Sequence, residues 1–231
     1  MAEPRGEAEA GTAADSWRQR AAERFPQSAR AKADLRSDRF MKSVIAIMGE
    51  TGRTDFTVQQ VVARSKTSLR AFYQHFGSKD ELLLAVLEEI MAQSTRTWRD
   101  ETVNLSSTEA LQLVIDRVSA QPTTSTQESI NRALSLYNEH LAETRPQDSA
   151  RVLSPLHQLI SEILDRGIAE QMFRADLDVE VMAAIVMQTI LSALRLHSLG
   201  AELTGTPVDS GRVYEFCMRG IGRDERRGPR R

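Results

Sequence analysis

The chain is poor in the residues that mark a redox protein, a secreted scaffold or a membrane span. Cys217 is the one cysteine among 231 residues, so no intrachain disulfide can form and a reducing compartment is expected. Within "VYEFCMRGI" the thiol reads as a small buried apolar group. No apolar run approaches the ~18 residues that suggest a bilayer-spanning helix. The N-terminus also lacks a signal-peptide core. The expectation is a soluble, cytoplasmic protein without a membrane partner. Strand-type alternation and internal repeats are missing as well. So are an activated nucleophile, a phosphate-cradling glycine loop and a two-histidine metal motif, which argues against an enzyme and against any cofactor. His140 stands beside Glu139 and Glu143, but these do not make a recognisable metal-ligand set, so no metal is expected.

Lysine is scarce too, and its placement is informative. All four lysines (Lys32, Lys42, Lys66, Lys79) fall in one stretch. From Lys32 to Lys79 there are nine Lys/Arg and four Asp/Glu, a net of +5; from Asp80 to Gly222 there are eleven and twenty-one, a net of −10. A basic block followed by an acidic body suggests that only the first part meets a polyanion.

Apolar residues recur at helical spacing through most of the chain, so an all-α fold is expected. Residues 1–33 read as a flexible, Ala/Glu/Arg-rich arm and 223–231 as a polar tail. Met41, Val44, Ile45 and Met48 form the stripe of a first helix that Gly52 closes. Thr57 and Gln60 make a capping box for a second, short helix, with Phe56 positioned to staple onto Val61. Ser68 or Thr67 can cap a third helix ending near Phe76. Ser78 and Glu81 then form another capping box for a fourth helix running toward Trp98. Further helices follow at Ser106/Glu109, at "TSTQESINRALSLYNEHLAE", at Ser154-Pro155, at "DVEVMAAIVMQTILSALRLHSLG" and at "SGRVYEFCMRGI".

Two short capped helices joined by a tight turn are the parts of a helix-turn-helix, whose second helix enters the DNA major groove. Phe72 and Phe76 lie one turn apart and face inward, whereas Ser68, Leu69, Arg70, Tyr73, Gln74 and His75 are expected at the surface. A protein-interaction surface is the competing reading of this cluster.

The run "FTVQQVVARSKTSLRAFYQHFGSKDELLLAVLEE" resembles the DNA-binding domain of the TetR (tetracycline repressor) family of bacterial transcription regulators. Val61-Val62, Ser68, Phe72-Tyr73, His75-Phe76 and "SKDELL" occupy the places of that family's motif elements. One departure is Lys66, where many members carry glycine in the turn. A left-handed lysine costs ~1 kcal/mol, so a different turn shape is a possible outcome. The resemblance implies a helix-turn-helix domain over 34–79 and a larger helical regulatory and dimerisation domain over 80–222. In it Thr57, Tyr73 and Lys79 would hold phosphates, and Ser68, Arg70 and Gln74 would face base edges, Arg suiting guanine and Gln adenine. Leu69 would pack on a thymine methyl, while His75 would either touch phosphate or cover the helix pair. Arginines of the arm (Arg18, Arg20, Arg24, Arg30) are candidates for minor-groove contact.

The implied function is a homodimeric regulator, by default a repressor, that leaves an inverted-repeat operator in double-stranded DNA when a small molecule of unknown identity binds. A regulator that answers to a protein partner, or to nothing, is the alternative. Candidate cavity residues are Trp98, Leu111, Tyr137, His140, His157, Ile160 and Phe173. The all-round apolar helix near Val186, Ile190, Ala193 and Leu194, with Val213, Phe216 and Cys217, is the candidate dimer interface.

Overall fold

The computed structural model describes residues 17, 24, 30–120, 122–198 and 208–223. Among them are nine α-helices: α1 (Arg30–Thr51), α2 (Val58–Ser65), α3 (Leu69–His75), α4 (Lys79–Thr102), α5 (Ser107–Val118), α6 (Ser125–Thr144), α7 (Pro146–Ala169), α8 (Val179–Ser198) and α9 (Ser210–Ile221). No strand occurs among the described residues, which agrees with the all-α reading. Most of the N-terminal arm and of the C-terminal tail lies outside the described residues.

Local chemistry sets most boundaries. Gly52 ends α1 with φ 65, and its N–H donates to the Met48 carbonyl at 2.8 Å. Thr57 and Gln60 form the expected capping box, with Gln60 N–H donating to Thr57 Oγ1 (3.2 Å) and Thr57 N–H to Gln60 Oε1 (2.7 Å). Lys66 does take the left-handed conformation, φ 53 and ψ 47, so the turn keeps a glycine-type shape despite the side chain. Its N–H donates to Ala63 O (3.3 Å) and that of Thr67 to Val62 O (3.1 Å), satisfying carbonyls at the end of α2. Ser68 rather than Thr67 caps α3, accepting from Ala71 N–H at 3.1 Å.

Three expectations need correction. Glu81 does not complete a capping box on Ser78. Its carboxylate reaches one residue further back and accepts the Gly77 N–H at 2.7 Å, while Ser78 Oγ still accepts from Glu81 N–H. The helix assigned to Ser154-Pro155 begins at Pro146 instead, with Pro155 buried inside α7. Pro146 fills the first helical position, and Arg145 both ends α6 and opens α7. Finally, α1 starts at Arg30, within the stretch assigned to the arm.

The core falls into two clusters. The first joins α1, α2 and α3 to the start of α4, and it also takes in Ala133, Tyr137 and Leu141 of α6 and Val152 of α7. The second joins α5, α7, α8 and α9. In the second cluster the segment after α7 turns back at Gln171 (φ 60) and forms a one-residue antiparallel bridge, Phe173 to Gly222. Phe173 is thereby driven into the core against Gly167.

A Cβ at Gly167 would lie 2.0 Å from the Phe173 ring. Gly167→Ala should therefore destabilise the protein by about 1–3 kcal/mol through overpacking. Urea unfolding would register this as a lower midpoint, and an unchanged midpoint would mean the ring can retreat freely.

Candidate nucleic-acid interface and internal cavity

Helix α3 is mounted by aromatics. Phe40 of α1 sits at the centre, edge-on to Phe72 (centroids 5.5 Å) and to Phe76 (6.1 Å). Phe72 in turn holds the Tyr73 ring edge-on at 5.3 Å. Phe40, Phe72 and Phe76 are all buried, so the helix is locked on one side, and Leu69, Arg70, Tyr73 and Gln74 project together from the other. Leu69 and Tyr73 are among the large apolar side chains left exposed. Arg70 and Lys66 make no ion pair among the described residues, whereas Arg64 is bound to Glu50 and Arg53 to Asp55.

His75 is not a surface residue. It is only 2% exposed, its Nδ1 lies 3.0 Å from Ser37 Oγ, and its ring is 5.9 Å from that of Phe40. Burial, and then the charges of Arg36 and Arg24, hold its pKa below the ordinary histidine value. It belongs with the mounting. Thr57 and Ser68 are exposed, each with its hydroxyl already capping a helix. Lys79 is half-buried: its Nζ donates to Thr54 O (3.1 Å) and lies 5.5 Å from the centroid of the Phe56 ring.

One contact escaped the sequence reading. Arg24, a candidate for the minor groove, points inward: Nη1 donates to the His75 carbonyl (2.5 Å) and Nη2 to Glu81 Oε1 (2.7 Å). It ties the end of α3 to the start of α4. Trp17 is also anchored, its indole N–H donating to Glu89 of α4 at 3.1 Å. Nothing in spacing or composition distinguishes Arg24 from the other arginines of the arm.

In the acidic half, a cavity of about 410 Å³ lies among α4, α5, α6, α7 and α8. Its apolar walls come from Leu87, Ile90, Met91 and Trp98 on α4, Val152, Leu153 and Leu156 on α7, and Leu191 and Leu194 on α8. Ser94, Gln127, Asn131, Ser135 and Asn138 supply polar groups. Of the seven expected cavity residues only Trp98 lines it. Leu111 and Ile160 are core side chains with no exposure. Phe173 packs on Gly167, as described above. Tyr137 is buried and turned toward the head: its hydroxyl donates to the Asp80 carbonyl (3.2 Å), and burial followed by the Asp80 charge pushes its pKa up to about 12. His140 is exposed on α6. His157 Nε2 lies 2.9 Å from the Glu180 carbonyl and joins α7 to α8. Among the described residues no group of three or more His, Cys, Asp or Glu is arranged to hold a metal.

The expected dimer face also shifts. Val186, Ile190, Val213 and Cys217 are buried within one chain, and burial pushes the Cys217 thiol pKa up. Ala193 is partly buried, and Leu194 belongs to the cavity wall. The apolar groups left open are Val181 and Ile185 on α8 and Phe216 on α9, two helices that pack on each other. By length and composition α8 is apolar enough to cross a membrane, with mean hydropathy 1.6 over Val179–Leu196, contrary to the expectation that no segment would be. Only a stripe of it is buried in this chain.

Residues 45–86 match the model of "Bacterial regulatory proteins, tetR family". Over this segment the chain is similar to the tetR family. The matched segment runs from the middle of α1 through α2 and α3 into the leucine-rich start of α4. A repressor from Pseudomonas putida, described as the HTH-type transcriptional repressor NicS, is 33% identical over 61 residues. That alignment covers 26% of this chain and 29% of the length of NicS. The likeness in fold extends much further. The chain superposes on the regulator FadR of Bacillus subtilis, solved with stearoyl-CoA, with a TM-score of 0.64 at 18% identity, covering 79% of this chain and 98% of that one. For SmeT in complex with triclosan the TM-score is 0.64 at 17% identity, covering 84% and 95%. SmeT is described elsewhere as the repressor of a Stenotrophomonas maltophilia multidrug efflux pump.

Arg24 braces the joint between α3 and α4. If α3 enters DNA, replacing Arg24 by Ala should weaken DNA binding about 2- to 10-fold, the range that one ordinary hydrogen bond of ~0.5–1.5 kcal/mol supplies. Base preference should stay unchanged, as read by fluorescence anisotropy on matched and mismatched duplexes. An altered preference would mean that Arg24 reads DNA directly.

Proposed function

We propose that the protein is a cytoplasmic, dimeric transcriptional repressor that binds an inverted-repeat operator and releases it when a small molecule occupies the cavity. The observation that carries this reading is the face of α3: Leu69, Arg70, Tyr73 and Gln74 stand exposed on a helix whose reverse side is immobilised by buried rings. Large apolar groups beside an unpaired arginine in a basic segment suit a partner with apolar base edges and phosphates. Arg70 and Gln74 would read bases, Leu69 a thymine methyl, and Tyr73 a phosphate. Thr57, Ser68 and Lys79 would add backbone contacts from the helix starts.

The dimer would form on the open apolar faces of α8 and α9, with Val181, Ile185 and Phe216 covered by their copies. Coupling would run through α6 as much as α4. One side of α6 lies on the head: a Cβ at Gly49 of α1 would meet Thr126 at 2.7 Å, and Tyr137 donates to Asp80 at the root of α4. The other side, through Leu134, Ser135 and Asn138, walls the cavity. A molecule that displaces α6 would thus bias the spacing of the two heads, and operator and ligand would weaken each other equally. FadR and SmeT, solved with stearoyl-CoA and triclosan respectively, lend support by their shared fold.

Selection of binding sites from random duplexes should return an inverted repeat for the wild-type protein. Arg70→Ala and Gln74→Ala should each relax one or two positions per half-site, a loss of ~1–3 kcal/mol of discrimination per bidentate contact. Should both variants return the wild-type motif, base reading by α3 would have to be abandoned.

The interface has its own test. Ile185 is 50% exposed in one chain, so Ile185→Glu should leave the fold intact yet give monomers in analytical ultracentrifugation at micromolar concentration. Ile190 has no exposure, so Ile190→Glu should unfold the chain instead. A fully dimeric Ile185→Glu protein would move the interface elsewhere.

A further inference from the structure

We infer that the cavity selects an uncharged, mostly apolar molecule bearing a hydrogen-bond donor, and that Asn138 reads that donor. This rests on the proposal above that the cavity is the effector site, and it names the chemistry of the effector.

Charge balance carries the first half. Among the described residues Arg117 is the one ionisable side chain lining the cavity, and its Nε already donates to Glu101 at 2.8 Å. Beyond Asn138 a second cleft, of about 310 Å³, opens between α6 and α8; its charged residues, Glu139 and Arg195, are bound to each other at 2.9 Å. A carboxylate or ammonium entering either space would give up its hydration and find no free counter-charge, which is strongly unfavourable in an apolar surround.

Polar satisfaction carries the second half. Asn138 is common to the walls of both spaces. Its carbonyl oxygen is buried and has no hydrogen-bond partner among the described residues. A buried acceptor left without a donor is costly, and a ligand O–H or N–H would relieve it. An ether offers acceptors only and would leave the oxygen as it is. Phenols, alcohols and amides with an apolar body therefore suit this wall, while ethers and carboxylates do not.

Three probes on one skeleton separate these demands: para-hexylphenol, its methyl ether and para-hexylbenzoate, titrated calorimetrically into the full-length protein at neutral pH. The phenol should bind about 10-fold more tightly than the ether, the factor one satisfied hydrogen bond supplies. The benzoate should bind weakest. Asn138→Leu should bring the phenol down to the level of the ether. A change in Trp98 emission in a Trp17→Phe background would place the probe in the cavity. Equal affinities of phenol and ether for the wild-type protein would overturn the donor requirement even if Asn138→Leu does not fold, and a retained preference in that variant would overturn the role of Asn138. Tightest binding by the benzoate would overturn neutral selection. These results would leave the cavity an effector site. Failure of all three probes to bind would remove that role, and the inference with it.

Discussion

The arrangement depends on one stretch of helix that has no outside. From Leu82 to Leu87 every residue of α4 is buried, where an ordinary surface helix would turn a polar stripe to solvent every few positions. The helix-turn-helix head closes on one side of this stretch, and α6 and α7 close on the others. At its end Glu88, also buried, is held by Arg151 of α7 at 3.0 Å, and Arg151 is in turn bound to Asp148. Removing Arg151 would weaken the hold on a fully buried carboxylate, so the root of α4 is fixed electrostatically as well as by packing. The head therefore has no independent foundation. It stands on the same leucines as the body.

That shared core explains how two distant surfaces can act on each other. The root of α4 is gripped by Arg24 and Gly77 through Glu81, and by Tyr137 through the Asp80 carbonyl. A few ångströms along the same helix, Leu87, Ile90 and Met91 become the wall of a cavity. The joint with α3 and the cavity wall are thus two stretches of one helix, and α6 bridges them a second time.

Features governed by local chemistry were legible in the amino-acid order. Thr57 with Gln60, Ser68, Ser106 with Glu109 and Gly52 mark helix ends through bonds that span four residues or fewer, and each appears where expected. The inward side of α3 was also readable, since Phe72 and Phe76 are one turn apart. His75 was not, because its burial comes from Ser37 and Phe40 on a helix some thirty-five residues earlier. The start of α7 was misplaced for a comparable reason: Ser154-Pro155 is a good opening signal, but the α6–α7 corner at Arg145 outcompetes it and the proline is carried inside. The cavity was least legible. Leu111, Ile160 and Leu194 all read as apolar helix residues, and only the packing of five helices decides which face an empty space.

The reach of the head's core into α7 bears on the order in which the chain can acquire its shape during synthesis. The cluster around Phe40 and Phe72 is continuous with Tyr137, Leu141 and Val152. While the ribosome has delivered only the first ninety or so residues, the leucines at the root of α4 lack the α6 and α7 side chains that complete their cover. The core of the head is therefore complete only once Val152 has emerged, although α1 to α3 come first and are built from short-range contacts. A truncation within α5 or α6 would leave the base of the head as an open apolar surface.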